Sequence, residues 1–153
     1  MPARGTGLRH AVRRLLAIPA SEIGDLVVAQ GFVLGALLRV RARRTGRLLR
    51  RVQGATSVVA QPDERRLTRL AVAVDRVSRF GLVRPTCLVR AVALERLVRS
   101  AQAGTAVVRV GVARGTNEFF AHAWIEIGGR VLGDEAAYVR RFTPLHDFSA
   151  LAS

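Results

Sequence analysis

The segment from Phe119 to Asp134 (FFAHAWIEIGGRVLGD) constrains the fold more than any other part of this sequence. Its aromatic and β-branched residues predict a strand over Phe119 to Ile127. Gly128-Gly129 is typical of a hairpin turn, and Arg130 to Asp134 is predicted to return as the paired strand. The valine-rich segment Thr105 to Arg114 predicts a further strand, so we expect an antiparallel sheet in the C-terminal half.

Three helices are predicted ahead of this sheet. The first runs from Ser21 to between Leu38 and Arg43 and is apolar on most sides, which implies burial against a partner. The second covers Asp63–Phe80, where apolar residues recur at helical spacing. The third follows the candidate N-cap Thr86 and is expected to reach Gly104. A helical N-terminal part followed by a helix packed on an antiparallel sheet is the α+β class. After the hairpin, the segment 142–145 is expected to extend or cap the sheet.

The composition favours one folded domain and leaves several partner classes open. The chain has 153 residues, half of them hydrophobic, which suits a single core and argues against disorder. The net charge is +14, because 25 basic residues, all of them arginine, outnumber 11 acidic ones. Such a charge attracts anionic surfaces, and it also fits a generally basic solvated surface. Few aromatic residues (5%) and no recognised nucleic-acid motif make nucleic acid an unfavoured partner.

The cysteine and histidine content argues against a metal site. One cysteine excludes an internal disulfide and leaves too few thiols for a cysteine-based zinc site. The three histidines, His10, His122 and His146, show no metal-binding spacing. We therefore expect no metal and no cofactor.

The N-terminal part of the sequence shows no convincing secretory signal, since arginines interrupt its apolar residues. The most hydrophobic stretch, residues 26–38, is shorter than the about 20 residues that span a bilayer. We expect this stretch to be a core or docking helix, and the protein to be cytoplasmic.

Cys87 is a candidate nucleophile because it is predicted to be the first residue of a helix, after Thr86. Unpaired N–H groups and the helix dipole favour a thiolate there, and they can also stabilise an oxyanion. His122 follows 35 residues later beside Trp124, and Asp134 another 12 residues on. This order fits a cysteine, its base and an orienting acid. A small buried cysteine and a structural histidine are the alternative interpretation.

The identity of the acid is open from spacing alone. A two-residue hairpin turn pairs His122 with Glu135 and turns Asp134 to the other face. Pairing Glu126 with Arg130 instead gives a cross-strand ion pair and places Asp134 opposite His122. Both Asp134 and Glu135 therefore remain candidates.

The motifs RPTCLVRAVALERLVRSAQ and FFAHAWIEIGGRVLGD together resemble the transglutaminase-like cysteine peptidases. More narrowly, C-L-x-R-A-x-A-L followed by A-H-A-W-x-E and G-D resembles the leader peptidases of lasso peptide biosynthesis, the peptidase half of the split B protein, over residues 84–145. The resemblance implies a papain-like core in which Cys87 is the nucleophile and His122 the general base and acid. It also implies that Asp134 orients His122. Apart from the resemblance, Thr86, Trp124 and Glu135 are supporting or oxyanion candidates.

The same resemblance implies a substrate and two partners. The substrate is a ribosomal precursor peptide, cut at its leader–core junction. No leader-recognition module is visible ahead of residue 60, so a separate recognition protein and an ATP-dependent macrolactam cyclase are expected. Residues 61–153 would form the peptidase core, and residues 1–60 an arginine-rich helical region that docks a partner or a membrane surface, or forms a wall of the domain. The docking candidates are Leu26, Phe32, Leu37, Arg39, Arg43 and Arg47.

Two other functions use the same sequence features. A transglutaminase-like acyl transferase would keep Cys87 and His122 but transfer the acyl group to an amine instead of water. A non-catalytic basic module would use the arginines to bind nucleic acid or an anionic membrane, with strong salt dependence.

Overall fold

A computed structural model describes residues 20–42, 63–116 and 118–145. The described elements follow one another as α1 (Ala20–Ala42), α2 (Glu64–Phe80), α3 (Cys87–Ser100), β1 (Ala106–Arg114), β2 (Phe119–Ile127), β3 (Arg130–Leu132), α4 (Ala136–Val139) and β4 (Thr143–Pro144). A helical N-terminal part thus precedes an antiparallel sheet, which confirms the α+β class.

Side-chain and glycine caps set the ends of the helices that lead to the sheet. The Asp63 side chain accepts a hydrogen bond from the Arg66 N–H at 3.1 Å and caps the start of α2. Gly81 ends α2, as the sequence predicts, and its N–H donates to the Val77 carbonyl at 2.8 Å. The third helix stops at Ser100, short of the predicted end at Gly104. The helix cannot continue to Gly104 because Gln102 adopts a left-handed backbone conformation with a φ of 51°.

Two apolar clusters lie on opposite faces of the sheet. The main core joins α1, α2 and α3 to one face of β1 and β2, and Val33, Val74 and Val98 are fully buried in it. The second cluster is smaller and consists of Trp124, Val139 and Phe142 on the other face. Burial of side chains of this size contributes about 1.5–3 kcal/mol each. The sheet is therefore covered on both sides, by the three helices and by the short α4 segment.

The sheet has the strand order β3-β2-β1-β4, with antiparallel neighbours throughout the described strands. Strand β2 begins and ends where the sequence predicts, and the predicted C-terminal extension is present as β4 beside β1. The hairpin turn has two residues, Gly128 and Gly129, with φ of 56° and 79°.

This turn settles the register of the hairpin. Ile127 pairs with Arg130, so the alternative pairing of Glu126 with Arg130 is wrong. The Glu126 carboxylate instead accepts a hydrogen bond from Arg109 Nε at 3.1 Å, and Arg130 forms an ion pair with Glu64 on α2.

Strand β3 ends at Leu132, two residues before its predicted end. Gly133 has a φ of 75°, and a Cβ atom built there would lie 2.7 Å from Leu94 Cδ2. A glycine at this position avoids both the cost of this backbone conformation and the close approach to Leu94. Because the chain leaves the ladder at Gly133, strand alternation no longer determines where Asp134 points.

Helix α1 is both a wall of the core and a source of exposed apolar surface. Ala29, Val33 and Ala36 are fully buried against the other helices. The side chains of Val27 and Leu38, in contrast, are about two-thirds exposed (67% and 66%). Within the described residues, Glu22–Ala42 is also the one helix whose length and composition suit a membrane span, and most of it is not buried. Buried core helices and N-terminal signal sequences share that length and composition.

The docking candidates on α1 have different environments. Leu26, Phe32 and Leu37 are partly buried against the main core, whereas Arg39 is exposed and donates a hydrogen bond to the Gly35 carbonyl. Several sequence predictions lie outside the described residues: Arg43, Arg47, His10, His146 and the domain boundary at residue 60.

Candidate active site

Cys87 is the first residue of α3, as the sequence predicts. The Thr86 side chain accepts a hydrogen bond from the Val89 N–H at 3.4 Å and caps the helix. The N–H groups of the first helical turn have no carbonyl partners within the helix, so they present partial positive charge beside the thiol. Cys87 is a free, half-buried cysteine. These N–H groups can therefore stabilise a negative charge on an oxygen bound next to Cys87.

Cys87 and His122 line one cavity, of about 410 Å³. The N-terminus of α3 supplies one side of the cavity, and the C-terminal half of α2 supplies another. The remaining lining residues are Asp75, Ser78, Arg79, Pro85 and Arg90. The fold therefore brings the cysteine and the histidine, 35 positions apart in the sequence, to the same surface depression.

The imidazole of His122 is held by a carboxylate and by aromatic rings. Its Nε2 lies 3.0 Å from Asp134 Oδ2. The ring stacks on Trp124 at a centroid distance of 6.2 Å and contacts Tyr138 and Phe142, each at 5.2 Å. Only 8% of His122 is exposed. With Nε2 directed at a carboxylate, Nδ1 is the ring nitrogen left to exchange a proton with a thiol in the cavity.

Asp134 takes two hydrogen bonds on one oxygen. Its Oδ2 accepts from Arg90 Nη2 at 2.8 Å as well as facing His122 Nε2. The carboxylate is 15% exposed and the Arg90 side chain 26% exposed, so water screens this ion pair only in part. Sequence reasoning missed Arg90. Its position three residues after Cys87, on the same side of α3, was the available signal.

The three supporting candidates have different surroundings. Glu135 is exposed at the start of α4 and forms no capping hydrogen bond, and the carboxylate beside His122 is that of Asp134. Trp124 donates its indole N–H to Glu126 Oε1 at 2.9 Å, so it supports His122 by packing. The Thr86 hydroxyl oxygen accepts the capping bond from the Val89 N–H. An oxyanion role for any of these three stays a prediction.

A second depression, of about 480 Å³, adjoins the first. The two share Asp75, Arg79 and Arg90, and the second also contains Asp134 and Glu135. Asp75 and Arg79 form an ion pair on α2, with a distance of 2.9 Å between Asp75 Oδ2 and Arg79 Nε. Arg90 therefore lies where the two depressions meet.

Two further observations on the described residues bear on where the reaction centre lies. No group of His, Cys, Asp and Glu within residues 20–42, 63–116 and 118–145 is arranged to hold a metal ion. A larger cavity of about 560 Å³ lies between α1, α2 and α3, but its lining contains no cysteine or histidine. The Cys87 cavity is therefore the best candidate for a reaction centre.

A thiol at a helix start, facing a cavity with an imidazole held by a carboxylate, is the arrangement that cysteine hydrolases and acyl transferases use. The model of the transglutaminase-like superfamily matches residues 32–147 of this chain, which is more than half of its length. The chain therefore belongs to the transglutaminase-like superfamily, which includes cysteine peptidases and acyl transferases. Searches of curated proteins and of solved structures gave no match.

Proposed function

We propose that this protein is a cysteine peptidase in which Cys87 is the nucleophile, His122 the general base and acid, and Asp134 the residue that orients His122. One observation carries the proposal: Cys87 and His122 line the same cavity, and His122 directs Nε2 at Asp134 Oδ2 from 3.0 Å. The Asp134 carboxylate would fix the ring orientation and stabilise the imidazolium that forms during the reaction.

The proposed reaction has two stages. His122 Nδ1 accepts the thiol proton, and the Cys87 sulfur attacks the carbonyl carbon of the scissile peptide bond. N–H groups at the start of α3, including that of Cys87, stabilise the resulting oxyanion. His122 then donates the proton to the leaving amine, and the C–N bond breaks to give a thioester on Cys87. In the second stage His122 takes a proton from water, which attacks the thioester and releases the acid and the free thiol.

We propose that the substrate is the leader–core junction of a ribosomal precursor peptide in lasso peptide maturation. The resemblance of residues 84–145 to leader peptidases supports this assignment, and the two adjoining depressions offer a concave surface beside Cys87. A separate leader-recognition protein would deliver the precursor, and an ATP-dependent cyclase would use the freed amine. The exposed apolar residues of α1, with Val27 and Leu38 foremost, offer a docking surface for such a partner in the cytoplasm.

Mass spectrometry of a precursor peptide tests this proposal. The peptide is incubated with the recognition protein and with either the wild-type chain or Cys87→Ala. We expect one cut at the leader–core junction with the wild type and none with the variant. Equal cutting by both proteins would exclude the thiol mechanism. If neither cuts while the leader is shown to bind, the non-catalytic functions gain support, and salt-sensitive binding of nucleic acid or anionic vesicles becomes the next assay.

Acyl transfer to an amine is the second candidate, because the superfamily includes acyl transferases and the same thioester on Cys87 serves both reactions. A labelled primary amine added to the same incubation separates them. Incorporation of the label at the new C-terminus of the leader would indicate transfer, whereas an unlabelled carboxylic acid would indicate hydrolysis.

A further inference from the structure

Arg90 connects the helix that carries Cys87 to Asp134, which lies after strand β3. It lies on α3, less than one turn after Cys87, and its Nη2 donates to Asp134 Oδ2 at 2.8 Å across 44 positions of sequence. It also lines both depressions of the candidate site. Among residues 20–42, 63–116 and 118–145, Arg90 alone lies on the helix of Cys87, bonds to Asp134 and lines both depressions.

We propose that Arg90 is a positioning residue for the reaction: it holds the Asp134 carboxylate so that Oδ2 faces His122 Nε2. This inference rests on the proposed Cys87–His122–Asp134 mechanism. Arg90 acts through Asp134, and its effect on Cys87 passes through the imidazole.

The backbone around Asp134 explains why such a residue is needed. Asp134 follows Gly133, whose left-handed conformation takes the chain out of the β-ladder. No strand pairing therefore fixes the Asp134 side chain, and Glu135 beside it is exposed. The charge-assisted bond from Arg90 supplies the missing constraint, because a guanidinium is planar and its donors have fixed directions.

The position of Arg90 on α3 also couples the acid to the nucleophile. Residues three apart in a helix lie on the same side, so Cys87 and Arg90 move together with the start of α3. The bond from Arg90 to Asp134 therefore ties the carboxylate to the helix that carries the thiol. The Arg90–Asp134 bond thus maintains the relative placement of the three reacting groups.

A double-mutant cycle on cleavage tests the proposal, with Arg90→Ala, Asp134→Ala and the combination measured on the precursor peptide. We expect Arg90→Ala to lower kcat about 10- to 100-fold, by analogy with the loss of a hydrogen-bond partner that orients a metal ligand. KM is expected to stay within about 2-fold, and Arg90→Lys is expected to recover part of the loss. In the Asp134→Ala background, Arg90→Ala should lower kcat by less than about 2-fold, because the carboxylate that Arg90 binds is already absent.

A matched control removes an ion pair of the same kind away from the cavity. Arg69 Nη2 lies 2.7 Å from Asp25 Oδ2 between α2 and α1, and we expect Arg69→Ala to leave kcat unchanged. Thermal unfolding of each variant shows the fraction folded under assay conditions. The proposal is overturned if Arg90→Ala lowers kcat by the same factor in the wild-type and Asp134→Ala backgrounds. It is also overturned if the activity lost in Arg90→Ala is fully explained by the fraction of the protein that is unfolded.

Alkylation of Cys87 separates this inference from the proposed function. Cys87 is the single cysteine of the chain, so the rate of iodoacetamide labelling reports its reactivity without any substrate. Arg90→Ala should slow labelling by a factor no larger than that of Asp134→Ala, and should add less than about 2-fold in the Asp134→Ala background. If the wild type fails to cut the peptide but labelling depends on Arg90, the peptidase proposal fails and the positioning role stands. If peptide cutting requires Cys87 but Arg90→Ala changes neither the labelling rate nor kcat, the positioning role of Arg90 is wrong and the peptidase proposal stands.

Discussion

The substitution Gly133→Ala tests how the chain brings Asp134 to His122. Gly133 has a φ of 75°, and a Cβ there would lie 2.7 Å from Leu94 Cδ2 in the main core. The left-handed conformation costs an alanine about 1–2 kcal/mol. Forcing a methyl group against a packed core side chain costs about 1–3 kcal/mol more. We therefore expect Gly133→Ala to lower the free energy of unfolding by about 2–5 kcal/mol.

Gly129→Ala is a matched control for the steric part of this cost. Gly129 has a similar φ of 79°, but no atom lies within 4 Å of a Cβ built on it. Only the conformational cost of about 1–2 kcal/mol applies there. Both variants are compared with the wild type by urea unfolding, which gives the free energy of unfolding directly. For a chain of this size, each kcal/mol also lowers Tm by about 2–4 °C.

Activity is measured on the same two variants. Because Asp134 follows Gly133 directly, Gly133→Ala should also reduce peptide cleavage by the remaining folded protein, whereas Gly129→Ala should leave it close to the wild-type rate. Equal destabilisation by the two substitutions would refute the role of the Leu94 contact. A stable and fully active Gly133→Ala protein would refute the whole explanation of how Asp134 is placed.

Three further predictions follow from other contacts of the described residues. Asp134→Asn should lower kcat at least about 100-fold, whereas Glu135→Gln stays near wild type in the same cleavage assay; a reversed order would make Glu135 the orienting acid. Gly111→Ala should lower the free energy of unfolding by about 1–3 kcal/mol in urea, because its Cβ would lie 2.8 Å from Trp124 Cη2. Burial raises the pKa of the Glu95 carboxyl above its ordinary value of 4.5, so its contribution to stability falls as pH rises above that value. The stability of Glu95→Gln relative to wild type should therefore increase with pH, and a constant difference would contradict this.

Local patterns in the sequence predicted most of the fold. The alternation of FFAHAWIEI and the Gly128-Gly129 turn defined β2 and the hairpin, because side-chain period and turn chemistry are local properties. The caps at Thr86 and Gly81 were equally visible, since each depends on residues within one helical turn. The Thr86 cap also predicts that Cys87 is the first residue of α3.

The end of β3 and the contacts of the acid could not be predicted in this way. Alternation determines which face a residue occupies only while the ladder continues, and the ladder stops at Gly133 because of a left-handed backbone fitted against Leu94. The bond from Arg90 to Asp134 joins residues 44 positions apart, so it depends on how α3 packs beside the sheet. The choice between Asp134 and Glu135 therefore needed tertiary structure or a family resemblance.

The most direct test of the central claim is the alkylation rate of Cys87 at neutral pH in the wild type, His122→Ala and Asp134→Asn. A free thiol is ionised to only a few per cent at neutral pH, and an adjacent imidazole increases that fraction. If His122 and Asp134 activate Cys87, labelling should slow about 10-fold or more in His122→Ala and by a smaller factor in Asp134→Asn. Equal rates in all three folded proteins would contradict the proposed site.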